Sequence, residues 1–317
     1  MKTLTRRQFI VAGATLTLAA TRTKKPAQPT LRKALIRGLP DEKTLLPLKE
    51  AGFHGIECNA WNVEPAKAEA ARKIADSLGM RIHSVLRGWT RFNEPQHLTE
   101  DLASVETALR TAQIYGADAI LLVPCRIGGS GMKIPKPRQF QIEFDERTGH
   151  IRRVVAGDNT PYTDYIRAHN EAVDASRAAF EKLIPLAEKY GVVIAHENVW
   201  NNLWVQPAIF ANFVASFKSR WLRAYFDIGN HLKYAPSEQW IAALGNLVVK
   251  CHIKDFKLNE DPGGDGKFVD PLDGDVNWPA VRRALDKIGY QGWLTIEGSA
   301  KLPLDDLSRR LDKIIAS

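Results

Sequence analysis

From residue 33 to the C-terminus, short apolar runs alternate with longer amphipathic stretches. The runs 33–37 (KALIR), 53–58 (FHGIEC), 80–86 (MRIHSVL), 118–124 (DAILLVP), 192–197 (VVIAHE), 222–228 (LRAYFDI), 248–254 (VVKCHIK) and 293–297 (WLTIE) read as eight β-strands. Between them, 64–78, 99–115, 170–190, 207–218, 237–244, 278–288 and 303–316 carry the spacing of amphipathic helices. Gly52, Gly79, Gly116, Gly191 and Gly289 each close a helical stretch just before a strand, where a left-handed residue turns the chain back to the sheet. Eight strand–helix repeats predict a parallel sheet with right-handed crossovers, closed as a (β/α)8 TIM barrel. An open doubly wound sheet is the alternative, and the absence of a Gly-rich phosphate loop after the first strand weighs against it.

Residues 125–168 break the rhythm, because a βα loop usually runs about 2–6 residues. Within them, RQFQIEFDERTGHIRRVV alternates on both sides of Asp145–Gly149 and predicts a β-hairpin inserted after strand 4. On a barrel such a hairpin is a lid, a subunit contact or decoration.

The first residues follow a different pattern. Lys2, Arg6 and Arg7 precede an apolar run, Phe9 to Ala20, that is too short to span a bilayer. Together they predict a twin-arginine signal peptide over 1–20, followed by a basic, Pro-containing linker over 21–32 and a single barrel domain over 33–317. The expected location is therefore periplasmic or otherwise exported, the expected partner is the Tat export machinery, and no stable membrane association follows cleavage. Of the formal charge of +8, three positive charges belong to that leader, and the rest is spread without a basic stripe. Neither nucleic acid nor a membrane surface is implied as a partner. The three cysteines, Cys58, Cys125 and Cys251, fit no metal-binding spacing and no disulfide framework, and read as buried apolar residues.

The chemistry sits at strand ends. Glu197, Asp227, His252 and Glu297 lie at or near the C-terminal ends of four consecutive strands, which a parallel barrel gathers on one rim. Three carboxylates buried there need a compensating charge. Oxygen ligands with one imidazole suit a single divalent ion, Mn²⁺ or Mg²⁺ first, with Zn²⁺, Co²⁺ or Fe²⁺ admitted. The plainer alternative is that each residue is separately ion-paired or caps a helix. Placement on strands also nominates Glu57 and His83 to reach a substrate hydroxyl, and Lys254 to neutralise an oxyanion.

At this point the chain resembles the xylose isomerase-like sugar isomerase/epimerase superfamily, most densely in HENVWNN, YFDIGNH, CHIKDFK, GDVNWPAV and GYQGWLTIEGS. That half is most similar to the branch of ketopentose-5-phosphate 3-epimerases and hexulose-6-phosphate isomerases. The resemblance implies the same four metal ligands, with Glu197 and Glu297 as the acid/base pair either side of an enediolate formed next to a ketone. Many relatives carry His three residues after the ligand Asp. Here Asn230 holds that place and His231 follows, so both become substrate-contact candidates. Trp61, Trp89, Trp200 and Trp204 follow strand ends, where they either stack on a sugar or pack. Export argues for an unphosphorylated sugar, since phosphosugars are cytoplasmic metabolites. A lyase or hydratase acting on 3-keto-glycosides shares the enediolate and stays open, as does a non-catalytic carbohydrate-binding protein. The abasic-site endonucleases of the superfamily are disfavoured, because the extra histidines of their three-metal design are missing from Pro124-Cys125 and from 255–275. Self-association into a homo-oligomer is left open.

Overall fold

In the computed structural model, residues 31–259, 266–298 and 301–317 are described. The predicted leader and all but the last two residues of the linker lie outside them. The strands are β1 (Arg32–Arg37), β2 (Gly55–Cys58), β3 (Arg81–Trp89), β4 (Ala119–Val123), a hairpin of β5 (Glu143–Phe144) and β6 (Ile151–Arg153), then β7 (Val193–Glu197), β8 (Leu222–Asp227), β9 (Val248–Ile253), a second hairpin of β10 (Asp255–Lys257) and β11 (Lys267–Val269), and β12 (Trp293–Ile296). The helices are α1 (Glu42–Glu50), α2 (Pro65–Ser77), α3 (Leu98–Tyr115), α4 (Thr163–Tyr190), α5 (Pro207–Ser216), α6 (Ser237–Leu244), α7 (Trp278–Lys287) and α8 (Leu304–Ala316).

Eight strands pair in parallel in the order β1-β12-β9-β8-β7-β4-β3-β2 and close on themselves. The predicted (β/α)8 barrel is therefore the fold. Closure leaves the barrel sheet no free edge, and the apolar strand residues pack outward against the helices, as Ile56, Ile120, Ile194, Phe226 and Leu294 do with near-zero exposure. Gly116 and Gly191 end α3 and α4 at φ of 74° and 66°, the left-handed conformation their sequence position predicts. All three cysteines are buried and free. No helix among the described residues is long and apolar enough to cross a membrane.

The predicted hairpin forms as β5 and β6, antiparallel about Asp145–Gly149. It is fastened to the outside of the barrel. Asn170 of α4 binds Ile151 through both its side-chain atoms (2.8 and 3.1 Å), and Asn212 of α5 donates to the Glu146 carbonyl at 3.0 Å. Helix α4 begins at Thr163, seven residues before the predicted start, so part of the apparent loop is helical.

Candidate active site

Three of the four strand-end residues predicted as ligands are buried, and Glu297 is 30% exposed in its side chain. Each of Glu197, Asp227, His252 and Glu297 offers one ligand atom, and all four atoms lie within 4.8 Å of one another. Barrel geometry brings them together: β7, β8, β9 and β12 are consecutive neighbours, and Asp227 pairs directly with His252 in the β8–β9 register.

Backbone and side-chain bonds aim each atom. Asp227 Oδ1 accepts the Gly229 and Asn230 amides at 2.9 and 2.7 Å, which leaves Oδ2 to face the cluster. Gly229 makes that turn possible, because a Cβ there would lie 2.7 Å from the Lys254 carbonyl oxygen. Asn198 clamps the Asp227 backbone from the other side, accepting from its amide and donating to its carbonyl at 2.7 and 2.8 Å. His252 Nε2 donates to Glu57 Oε2 at 2.6 Å, so Nδ1 is the nitrogen that faces Glu297 Oε2, Glu197 Oε1 and Asp227 Oδ2, at 2.8, 3.3 and 4.0 Å.

The electrostatics follow from this crowding. Burial alone would depress the His252 imidazole, but Glu57 and Glu297 together hold it well above its ordinary value. Burial pushes Glu197 up to about 7, against the pull of His252 and with help from the charge of Glu297. Burial also raises Asp227, with Lys254 opposing it. Glu297 moves the other way: burial would raise it, but His252 and Lys254 outweigh burial and hold it below the usual carboxylate range. Lys254 is kept charged by Asp227 and Glu297, whose oxygens lie 3.3 and 3.0 Å from its ammonium nitrogen, despite its burial.

These residues fit a divalent cation. One imidazole nitrogen faces three carboxylate oxygens and can give a proton to one of them. Asp227 Oδ2 and Glu297 Oε2 are buried without a well-aligned hydrogen bond. Glu57, Glu197, Asp227 and Glu297 together meet two cationic side chains, His252 and Lys254, so the cluster is short of positive charge. A hard or borderline ion held by oxygen ligands and one nitrogen would supply it.

The remaining candidates are placed differently. Lys254 is in the cluster, and Asn230 accepts from it at 3.1 Å through Oδ1 while donating to the Asn198 carbonyl at 3.0 Å. Glu57, fully buried, has both oxygens occupied, by Ser84 Oγ at 2.9 Å and by His252, so it holds the His252 ring and does not open towards a substrate. His83 is also inside the barrel. It stacks on Trp293 at 4.3 Å and contacts Thr295 Oγ1 at 3.0 Å, and burial together with Lys250 and His252 keeps it well below its ordinary value. His231 is turned away: Nε2 contacts the Val199 carbonyl at 2.9 Å and its ring packs on Tyr234 and Trp240. Of the tryptophans, Trp204 is core, packed on His196 and Phe213, whereas Trp89 is 41% exposed under the Arg126 guanidinium. Trp61 lies beneath Arg87, and Trp200 donates its indole N–H to the Asn230 carbonyl. Sequence reasoning passed over Asn198 and Ser84. Asn198 had a readable signal, a polar residue directly after a strand-end ligand; Ser84 had none.

A closed parallel barrel with an acid and histidine cluster at the C-terminal strand ends defines a TIM barrel with a candidate metal site. The family model described as xylose isomerase-like TIM barrel matches residues 45–314, and the chain belongs to that family. Among solved structures, a 3-keto-D-glucoside 4-epimerase from E. coli aligns with a TM-score of 0.67 at 14% identity, covering 91% of this chain and 100% of that one. A D-tagatose 3-epimerase-like protein aligns with a TM-score of 0.68 at 16% identity, covering 90% and 97%. An uncharacterised protein of Methanocaldococcus jannaschii is 26% identical over 134 residues, 40% of this chain and 44% of that relative, so the match spans less than half of its length.

Proposed function

We propose that the protein is a divalent-metal-dependent isomerase or epimerase of an unphosphorylated keto sugar. The observation that carries this reading is the pairing of Glu197 and Glu297 about His252 Nδ1, at 3.3 and 2.8 Å, within one four-residue cluster. Glu197, Asp227, His252 and Glu297 would hold the ion, which when bound supplies a Lewis acid for a substrate carbonyl.

The two glutamates are unlike. Glu297, 30% exposed in its side chain, lines the open cavity and is held in its basic form by His252 and Lys254. Glu197, 7% exposed in its side chain, is raised by burial to about 7 and retains a proton near neutrality. Glu297 takes the proton from the carbon next to the ketone, the C–H electron pair moves into the enediolate, and Glu197 returns a proton to the opposite face. Lys254 balances the charge that develops beside Glu297. Asn198 and Asn230 keep Asp227 and Lys254 in place.

The test is deuterium uptake from heavy water at the carbon next to the ketone, read by NMR on the metal-loaded protein with a panel of keto sugars. The expected result is exchange that Glu297→Gln abolishes; full exchange in that variant overturns the assignment. Product analysis separates the outcomes, since a stereoisomer marks an epimerase and a released aglycone marks a lyase acting through the same enediolate. Export by the twin-arginine route is part of the same proposal: a barrel folded in the cytoplasm takes its metal before it meets competing ions outside. Fusion of residues 31–317 to a leader that exports unfolded chains, followed by metal analysis, tests it. An unchanged metal at full occupancy contradicts the idea.

A further inference from the structure

The catalytic cluster opens into a cavity of about 530 Å³. Lys254, Glu297, Phe268, Asp270 and Lys301 line it, and the Lys254 ammonium lies between Glu297 Oε2 at 3.0 Å and the Phe268 ring centre at 5.1 Å. A hexose displaces about six water volumes, on the order of 180 Å³ at ~30 Å³ each. The cavity is therefore larger than one sugar ring needs, and of its lining residues only Glu297 is a proposed ligand.

Phe268 lines this cavity from β11. Four large apolar side chains are exposed among the described residues, and Phe268, 43% exposed, is the one that shares a cavity with Glu297. It is not a loose residue. Its ring is held by Trp200 at 4.9 Å and by Phe256, edge-on, at 5.1 Å, and the Lys254 ammonium lies 5.1 Å from its centre. The hairpin beneath is anchored by Asp255, a fully buried carboxylate that accepts N–H bonds from Phe256, Leu272, Val276 and Trp278 at 2.8 to 3.2 Å. Gly274 lets the returning chain reach that anchor, since a Cβ there would lie 2.0 Å from Asp255 Oδ1. An aromatic surface held by two neighbouring rings is thus presented to solvent in the cavity that Glu297 also lines. One carboxylate and one ammonium, Asp270 and Lys301, line the same cavity and balance in charge, which suits hydroxyl groups better than a phosphate.

We infer that the substrate has two parts: the reacting keto sugar beside Glu297 and a neutral, glycosidically linked second ring stacked on Phe268. The inference rests on the reading of the reaction given above and deepens it to a glycoside. Apolar C–H faces of a sugar and the face of an aromatic aglycone both stack on such a ring. Asp270 accepts from, and Lys301 donates to, polar groups on the edge of that second ring.

The experiment is a ligand-observed NMR titration of the Mn²⁺-loaded protein with methyl β-D-glucoside, phenyl β-D-glucoside and cellobiose. These lack a ketone, so affinity is read without turnover. Phenyl glucoside or cellobiose is expected to bind about tenfold tighter than the methyl glycoside, the scale of one aromatic stacking contact. Phe268→Ala removes that advantage and leaves the methyl glycoside unchanged, and Phe268→Leu, which preserves apolar packing on Trp200, retains part of it. A larger gain for phenyl glucoside identifies an aromatic aglycone, and a larger gain for cellobiose a second sugar. Equal binding of all three by the unmodified protein, or an equal loss for all three in both variants, overturns the inference. Failure of deuterium exchange would overturn the reaction and not this contrast, so the two can be told apart.

Discussion

Glu57 and Asp227 are carboxylates of equal burial inside one barrel, with opposite surroundings. Glu57 is complete: Ser84 and His252 occupy its two oxygens at 2.9 and 2.6 Å. Asp227 has one oxygen bound to two amides and the other without an aligned hydrogen bond, 3.3 Å from the Lys254 ammonium. The same contrast divides the barrel interior into two regions. Glu57, Ser84 and Thr295 have partners among themselves and their neighbours, His83 keeps one buried nitrogen, Nδ1, without a hydrogen bond, and together they support the site. Glu197, Asp227, His252 and Glu297 converge on a point that the protein itself leaves short of positive charge, and they form the candidate site. Burial of acids does not separate support from chemistry; the unfinished coordination does.

The largest effect expected from breaking this contrast lies in the second region. Glu197→Gln and Glu297→Gln each lower kcat by about 10²- to 10⁴-fold, the usual weight of a general acid or base. Steady-state rates on a turned-over keto sugar check this, and a loss below tenfold in both would contradict it. One step down, Glu57→Gln keeps the size of the side chain but weakens the acceptor that orients His252, and Mn²⁺ affinity falls about 10- to 100-fold. Calorimetric titration reads it, and unchanged affinity would move Glu57 out of the supporting region.

The next effect is in pH. Glu197, raised by burial to about 7, and Asp227, also raised, hold protons that the unfolded chain would release. Their contribution to metal-free stability is therefore full below the ordinary carboxylate range and falls as pH climbs towards 7. His252, held up by Glu57 and Glu297 against burial, contributes fully below its unfolded value and loses that contribution as pH rises through its raised value. A metal ion displaces the proton on Asp227 and the one on His252 Nδ1, so the gain in Tm from Mn²⁺ grows by several degrees between about pH 5 and pH 8. A constant gain would count against the cluster. The smallest effect belongs to residues outside it. His231→Gln and His83→Gln cost about 1 kcal/mol of stability each, the loss of one hydrogen bond, and leave Mn²⁺ affinity within about twofold. Denaturant unfolding and the same titration measure both.

The convergence of Glu197, Asp227, His252 and Glu297 was legible because these residues lie at strand ends, where an apolar run stops on an acid or a histidine. In a closed parallel sheet that position alone fixes the rim. Glu57 and His83 were readable as inward-facing but not in depth. The β2–β3 pairing shifts register between Ile56 and Glu57, and β3–β4 shifts again between Leu86 and Gly88. Such a shift changes which residues stand level with one another, and Ser84 comes to lie opposite Glu57. Counting along one strand cannot show that. The hairpin bearing Phe268 escaped for another reason: its paired segments are three residues each, too short for alternation to register. His231 followed from its distance after Asp227, and the turn at Gly229 and Asn230 directs it instead to the Val199 carbonyl.

The account stands most directly on whether the four strand ends hold one metal ion through His252. Electron paramagnetic resonance of Mn²⁺ titrated into metal-free protein carrying ¹⁵N-labelled histidine measures this. One ion per chain with a single histidine nitrogen coupling, lost in His252→Gln and weakened in Asp227→Asn, is the predicted result. Tight binding with the nitrogen coupling intact in His252→Gln, or no tight binding at all, would contradict it.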